Sequence, residues 1–467
     1  MPFRVRTISS DRKFCDVISL DLLARVIPPQ LVDRVLTDHG AHQQRTRKLT
    51  QRAVVYLLIA VTLHGHLAIE QVIKRLWRSC ALIWPSQPPT APGRSAFSSR
   101  RDQLGVRPLA ALFRLVCRPL ATPTTKGAFR FGLRLVAIDG TKEEVPNSVA
   151  NERAFGRNAS TRGPGAFCQI LCVYLAEVGT HAIFDAVFWP WNRNEREAAE
   201  RLLRSVGAGM LVLGDRGVYS YNFVEAVRER KAEALLRLSS CVKPQPIRVL
   251  EDGSVLSRIR PTTSRKGRAK RRKAGAHELV RIISYRMTDP TQPGYGETYR
   301  LATTILDPLQ APALELAHCY HERWEIELVI DEIDTHQRLA GRPLRSKTPM
   351  GVMQEMYALL IAHYCVRALM HEAALKVDLD PDRLSFVGSL RVVQDLIPQF
   401  LIVSRRGLTP LYNHLLEEIA RERLPERTGR SCPRVIRRKM SKWPLKRENH
   451  AHWPQPTVPL DQRLILT

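Results

Sequence analysis

The sequence predicts an α/β protein in which helices flank a mixed sheet, a β-rich insertion interrupts that sheet, and a helical domain precedes it. Three observations carry the prediction. Residues 1–128 place apolar residues at helical spacing. From residue 129 short runs rich in Leu, Val and Ile alternate with amphipathic stretches. Residues 241–310 then break the alternation with turn residues and β-prone runs.

The helical part opens with "LDLLARVIPPQLVDRVLTDHG", which closes on Gly40. A buried helix, "RAVVYLLIAVTLHG", and a shorter amphipathic one, "LAIEQVIKRLW", follow. A proline-rich break precedes two short helices in "AFSSRRDQLGVRPLAALFRLVCRPLA". With Arg94, Arg100 and Arg101 nearby, these fit either a helix-turn-helix reader of DNA or an ordinary helical bundle. "FGLRLVAIDGT" reads as a buried strand ending in Asp139-Gly140. Asn151 to Gly165 reads as a loop. "AFCQILCVYLAEVGTHAIFDAVFWPW" reads as two strands with a hairpin at Val178-Gly179-Thr180. A helix, "NEREAAERLLRSV", leads to a second short strand, "MLVLGDRGVYS", ending in Asp215-Arg216-Gly217. "YNFVEAVRERKA" is helical and "EALLRLSS" is another strand.

The insertion holds "ELVRIISYRM", "TYRLATTIL" and the basic run "RKGRAKRRKAG". "CYHERWEIELVIDEIDTH" then has no Pro or Gly and reads as one helix. On it Tyr320, Arg323, Glu327 and Asp334 stand at i, i+3, i+7 and i+14, a single face. Trp324 points elsewhere and reads as core. A long apolar helix, "MGVMQEMYALLIAHYCVRALMHEAA", comes next. The expected organisation is a helical N-terminal DNA-binding domain (1–128), the first part of the catalytic core (129–240), the insertion (241–310), the rest of the core (311–400) and a basic C-terminal region (401–467).

The net charge of +27 excludes a neutral, self-sufficient surface and calls for a polyanion. Nucleic acid is the first candidate, since cations gain by releasing counterions from phosphates. The apolar run Ala53 to Leu63 is too short to span a bilayer, so a membrane partner is not expected. The start lacks an apolar signal core, which leads to a cytoplasmic expectation. The nine cysteines are scattered without a C-x-x-C pair, arguing against disulfides and zinc; Cys168 and Cys172 read as core. Two basic stretches stand out. Arg265, Lys266, Arg268, Lys270, Arg271, Arg272 and Lys273 crowd one loop, and Arg437, Arg438 and Lys439 lie in a tail. They are candidate contacts to DNA backbone, or simply solvated charge.

Asp139 and Asp215 each end an apolar strand, where ligands collect in α/β sheets. A lone Asp before Gly is commonly only a turn residue. Two strands ending alike, with Glu327 on a following helix, match the order of a ribonuclease H-like sheet. Three such carboxylates suit two Mg²⁺ or Mn²⁺ ions, because hard cations prefer oxygen.

"AIDGT", "GDRGVYS" and "YHERWEIE" together resemble the DDE transposases of the "IS-four" insertion-sequence group. The resemblance extends over the helical N-terminal region and over "LRSKTP" with the helix after it. It implies metal-dependent nicking and strand transfer at the ends of a mobile DNA element. It assigns Asp139, Asp215 and Glu327 as the metal-binding, catalytic acids. The signature helix of the group reads Tyr, two residues, Arg, three residues, Glu, six residues, Lys. Tyr320, Arg323 and Glu327 match, and Asp334 stands where the Lys belongs. The resemblance implies that Arg323 contacts the phosphate beside the scissile bond and that Tyr320 bonds the same backbone. Arg338 and Lys347 are the candidate substitute cations. Some relatives carry a base-stacking Trp in the insertion. Tyr285, Tyr295 and Tyr299 are its only Tyr or Trp residues here, so a hairpin intermediate is not implied.

The expected partners are double-stranded DNA, as terminal inverted repeats and as target, and a second copy of the chain in the synaptic complex. The expected place is the bacterial cytoplasm, at the nucleoid. Two alternatives accompany the reading: a DNA-binding remnant that has lost catalysis, and a nuclease of the same fold without strand transfer.

Overall fold

The structure is a computed structural model that describes residues 21–41, 49–81, 90–160, 163–261, 277–288, 297–339, 341–425 and 464–467. The helices are α1 (Pro29–Asp38), α2 (Gln51–Leu63), α3 (Ile69–Ala81), α4 (Arg94–Leu104), α5 (Arg107–Val116), α6 (Val149–Phe155), α7 (Glu195–Leu202), α8 (Tyr221–Glu229), α9 (Ala313–His321), α10 (Trp324–Asp331), α11 (Pro349–Lys376), α12 (Phe386–Ile402) and α13 (Leu408–Arg421). The strands are β1 (Phe129–Arg130), β2 (Leu133–Val145), β3 (Arg157–Ser160), β4 (Gly163–Glu177), β5 (Ile183–Pro190), β6 (Met210–Gly214), β7 (Glu233–Arg237), β8 (Gln245–Val249), β9 (Val255–Ile259), β10 (Glu278–Met287), β11 (Thr298–Thr303) and β12 (Leu464–Leu466).

Contacts divide the chain into two compact units. The first gathers residues 1–128, 139–202 and 325–424; the second gathers 129–138, 203–324 and 425–467. Strand β2 runs through both.

In the first unit, α2 and α11 are the buried axis. Every residue of α2 except Arg52 is buried, and α2 packs on α11, as do α5 and α13. Full burial of a Leu, Ile or Val side chain contributes roughly 1.5–3 kcal/mol, which explains why an all-apolar helix sits at the centre. Thr348 caps α11 through the Gly351 amide, and Pro349 opens it. Among the described residues α11 alone is long and apolar enough to cross a membrane, but 83% of its apolar window is buried in the protein. Of the arginines considered for a helix-turn-helix, Arg101 turns inward. Its Nε donates to Gln354 Oε1 (2.8 Å) and its Nη2 to Ser346 Oγ (2.8 Å). For that residue the bundle reading holds.

In the second unit, the first half of β2 pairs in parallel with β6, and β6 pairs in parallel with β7. The order continues through β11, β10, β9 and β8, all antiparallel. The β-rich insertion therefore extends the sheet from β7. Its basic loop, with Arg265, Lys266, Arg268, Lys270, Arg271, Arg272 and Lys273, lies outside the described residues, as do Arg437, Arg438 and Lys439. In the first unit β4 pairs antiparallel with β5. Parallel and antiparallel strands with flanking helices make up the ribonuclease H-like fold class expected from the sequence.

Three local expectations are corrected. Strand β2 does not end at Asp139 but runs on to Val145, because Glu143 and Val145 still point inward. Asn151 to Gly165 is not a loop: Ser148 caps α6 through the Asn151 amide, Gly156 ends it at φ 79°, and β3 follows. The stretch from Cys319 to His336 is not one helix. It breaks after His321, restarts at Trp324, and widens into a π turn over Glu332–Gln337, where the Arg338 amide bonds the Ile333 carbonyl at 3.1 Å. Tyr320, Arg323, Glu327 and Asp334 are therefore not carried by one continuous helix.

Candidate active site

In the second unit, β6 delivers Asp215 one residue after its last paired residue, Gly214. The Asp215 Oδ1 accepts from the Gly217 amide (2.7 Å) and the Val218 amide (3.1 Å), which fixes the side chain in its turn. Arg216 is exposed. Tyr320 lies in the last turn of α9 and is 5% exposed. Its hydroxyl is pushed up to about 12, mainly by burial, with the Asp215 charge adding to the effect against Arg323 and Arg237. Asp215 is thus close enough to act electrostatically on Tyr320. Arg323 is 7% exposed, and its guanidinium hydrogen-bonds Tyr320. It also stands 5.0 Å from the Trp324 ring centroid. Trp324 is therefore a half-buried partner of Arg323 and not a core residue.

In the first unit, Asp139 is half-buried and its Oδ1 accepts from the Gly140 amide at 2.8 Å. A Cβ at residue 140 would lie 2.6 Å from Glu195 Oε1, so glycine is what lets that carboxylate approach. Glu327 is half-buried in the first turn of α10. Lys347 is exposed, and its carbonyl accepts from Ser148 Oγ at 2.7 Å.

Asp334, at the position of the expected Lys, is turned to β2. Arg338 pairs with Asp334 at 3.5 Å and more closely with Glu143, itself 4% exposed. Burial first, then a hydrogen bond with Glu143 and its charge, raise the Asp334 carboxyl to about 9 against the pull of Arg338. Burial beside Glu143 thus favours the protonated form of Asp334. Arg338 is committed to this triad, so it does not serve as the substitute cation.

A second buried network lies on the other side of the π turn. Glu332 accepts from His181 Nδ1 (3.0 Å), His363 Nε2 (2.9 Å) and Arg367 Nε (3.0 Å). His181 Nε2 faces Glu325 (2.7 Å) and Asp382 (3.2 Å). Burial and Arg367 oppose protonation of His181, but Asp382, Glu332 and Glu325 outweigh them and lift it to about 9. Among the described residues, His181, Glu325 and Asp382 are the group whose ligand atoms lie within 4.8 Å of one another. A protonated His181 already supplies the cation there. Sequence reasoning passed over this network. Its signal was His363 and Arg367 at i and i+4 in the apolar middle of the long helix.

Residues 17–114 match the family described as insertion element 4 transposase N-terminal, and residues 130–365 match the transposase DDE domain. Transposase InsG for insertion sequence element IS4, from Escherichia coli (strain K12), is 28% identical over 428 residues, covering 91% of this chain and 93% of that protein. A second protein of that strain, InsZ, is 25% identical over 228 residues, covering 47% of this chain and 72% of its own. A piggyBac transposase in a synaptic complex with hairpin DNA aligns over 92% of this chain and 88% of its own at a TM-score of 0.44 and 12% identity, too weak a likeness to bear on function. The chain belongs to the insertion element 4 family of DDE transposases, and is an enzyme that cuts and transfers DNA strands with divalent metal ions.

Proposed function

We infer that Asp139, Asp215 and Glu327 form the metal-binding centre of this transposase, and that it holds two Mg²⁺ or Mn²⁺ ions. One observation supports this above the others. The parallel register of β2 and β6 closes with Ile138 opposite Gly214, and an aspartate follows each of them in the chain. The donor set fits the ions: three carboxylates with no His or Cys among them. Oδ1 of Asp215 is committed to two amides, which orients Oδ2 for a cation. Two ions, when bound, activate a water or 3′-hydroxyl and stabilise the leaving oxygen.

The protein's own groups do the rest. Arg323 offers a planar fork to the phosphate beside the scissile bond. Tyr320 keeps its proton at working pH, so it is a donor to the same backbone or to Arg323's partner oxygen. Lys347 is an exposed cation suited to a phosphate further along. The substrates are the terminal inverted repeats of the element and a target duplex, with residues 1–128 contributing to end binding. Two copies act together in the synaptic complex, in the bacterial cytoplasm at the nucleoid.

Cleavage and joining of end-containing DNA in Mg²⁺ or Mn²⁺ test the assignment. Asp139→Asn, Asp215→Asn and Glu327→Gln should each abolish both products and leave DNA affinity largely intact, since these acids add little to phosphate attraction. Clear residual cleavage by Glu327→Gln would remove that residue from the centre.

A further inference from the structure

We propose that Arg338 is a positioning residue for Glu327, acting through a buried bond to Glu143. The inference rests on the reading of Asp139 and Glu327 as metal ligands and names what sets their places. On a strand, positions i and i+4 point to the same face. Glu143 stands four residues after Asp139 on β2, so both side chains leave the same face of one strand. The Arg338 guanidinium, 10% exposed, holds the Glu143 carboxylate, 5% exposed. Arg338 Nη2 also donates to the Arg342 carbonyl at 3.1 Å, which closes the chain end of the π turn.

The π turn follows α10 without a break and Arg338 caps its end, so one run of helix joins Glu327 to Arg338. A widened turn is costly and persists where side chains hold it. Here it is held from two directions. Glu332 is fixed by His181, His363 and Arg367, and Arg338 by Glu143. Gly65 lets the backbone between α2 and α3 lie against it: a Cβ there would clash with the Gln337 carbonyl oxygen. The strand that carries Asp139 and the helix that carries Glu327 are thus bolted together before any ion arrives. Asp334 lies against the same pair, 3.5 Å from the Arg338 guanidinium.

The geometry yields a rescue. Asp334 is within hydrogen-bond reach of Glu143, so an ammonium at 334 can replace the lost guanidinium. The test is Mn²⁺ binding to the full chain without DNA, followed by electron paramagnetic resonance of the free ion. Thermal melting checks the fold, and filter binding of end DNA runs beside it. Residues that orient metal ligands typically change metal affinity 10–100-fold when removed. Arg338→Gln should therefore weaken Mn²⁺ binding by about tenfold or more at unchanged DNA affinity. The double variant Asp334→Lys/Arg338→Gln should return to within about twofold of the parent. If Arg338→Gln does not fold, the double variant carries the test alone: it must fold and bind Mn²⁺ like the parent. Parent-like Mn²⁺ binding by a folded Arg338→Gln, or a double variant that stays weak or unfolded, overturns the inference. Glu327→Gln separates the two levels. If it binds Mn²⁺ like the parent, the metal-centre reading fails; if it weakens binding while Arg338→Gln does not, only the positioning role fails.

Discussion

Asp334 shows how one substitution is absorbed. The signature of the group asks for a cation at this position, and the chain supplies a carboxyl whose protonated form is favoured by burial beside Glu143. Its folded value of about 9 against an ordinary 3.8 makes folding bind a proton. Stability from this group is fully present below about pH 4 and falls as pH rises towards 9. Asp334→Asn keeps the shape and removes the titration. Urea midpoints of parent and variant should therefore diverge in the variant's favour between pH 5 and pH 8, by up to roughly 1.4 kcal/mol per pH unit. Parallel curves would mean that Asp334 ionises freely in the folded protein. Cleavage by Asp334→Lys should change little, because an ammonium there meets Glu143 before it meets DNA.

At the scale of elements, the π turn is the feature that tertiary structure imposes. Glu332 accepts from three cationic or imidazole groups, all deeply buried. Glu332→Gln leaves Arg367 without its counter-charge and removes one of the three carboxylates around His181. Breaking one side of a buried ion cluster typically costs about 3–5 kcal/mol. Urea denaturation should show a loss of that size, and a loss below about 1 kcal/mol would mean the network adds nothing. This bears on what was legible beforehand. The two aspartates could be picked out because an apolar run stops before each of them. The continuation of β2 through "TKEEV" could not, since an inward Glu143 makes sense only once Arg338 is seen opposite it. The π turn spells "EIDTHQ", an ordinary helical stretch, and only its distant partners widen it. Helix α6 was readable in principle from the Ser148 cap and Gly156, but the Gly and Pro around it suggested a loop. Tyr320 and Arg323 were picked from spacing on one helix. They meet each other where that helix is interrupted, a break that the uninterrupted helical composition of the stretch did not signal.

For the molecule as a whole, the excess of 27 positive charges is the property that composition alone makes quantitative. Such a chain repels itself at low ionic strength and gains when phosphates replace its counterions. Seven of the nine residues from Arg265 to Lys273 are Lys or Arg, a density that fits contact with the phosphate backbone. Neutralising four of them, for example Arg268, Lys270, Arg271 and Arg272 to Gln, should lower affinity for end DNA and unrelated DNA alike. The plot of log affinity against log salt should flatten by up to about 3.6 units if all four contact phosphates, each contributing about 0.9. The three acids of the proposed centre lie elsewhere in the chain, so cleavage at saturating DNA should survive the change. A slope equal to the parent's would identify the loop as solvated charge and move the search for the DNA-binding cations to Lys347, Arg437, Arg438 and Lys439.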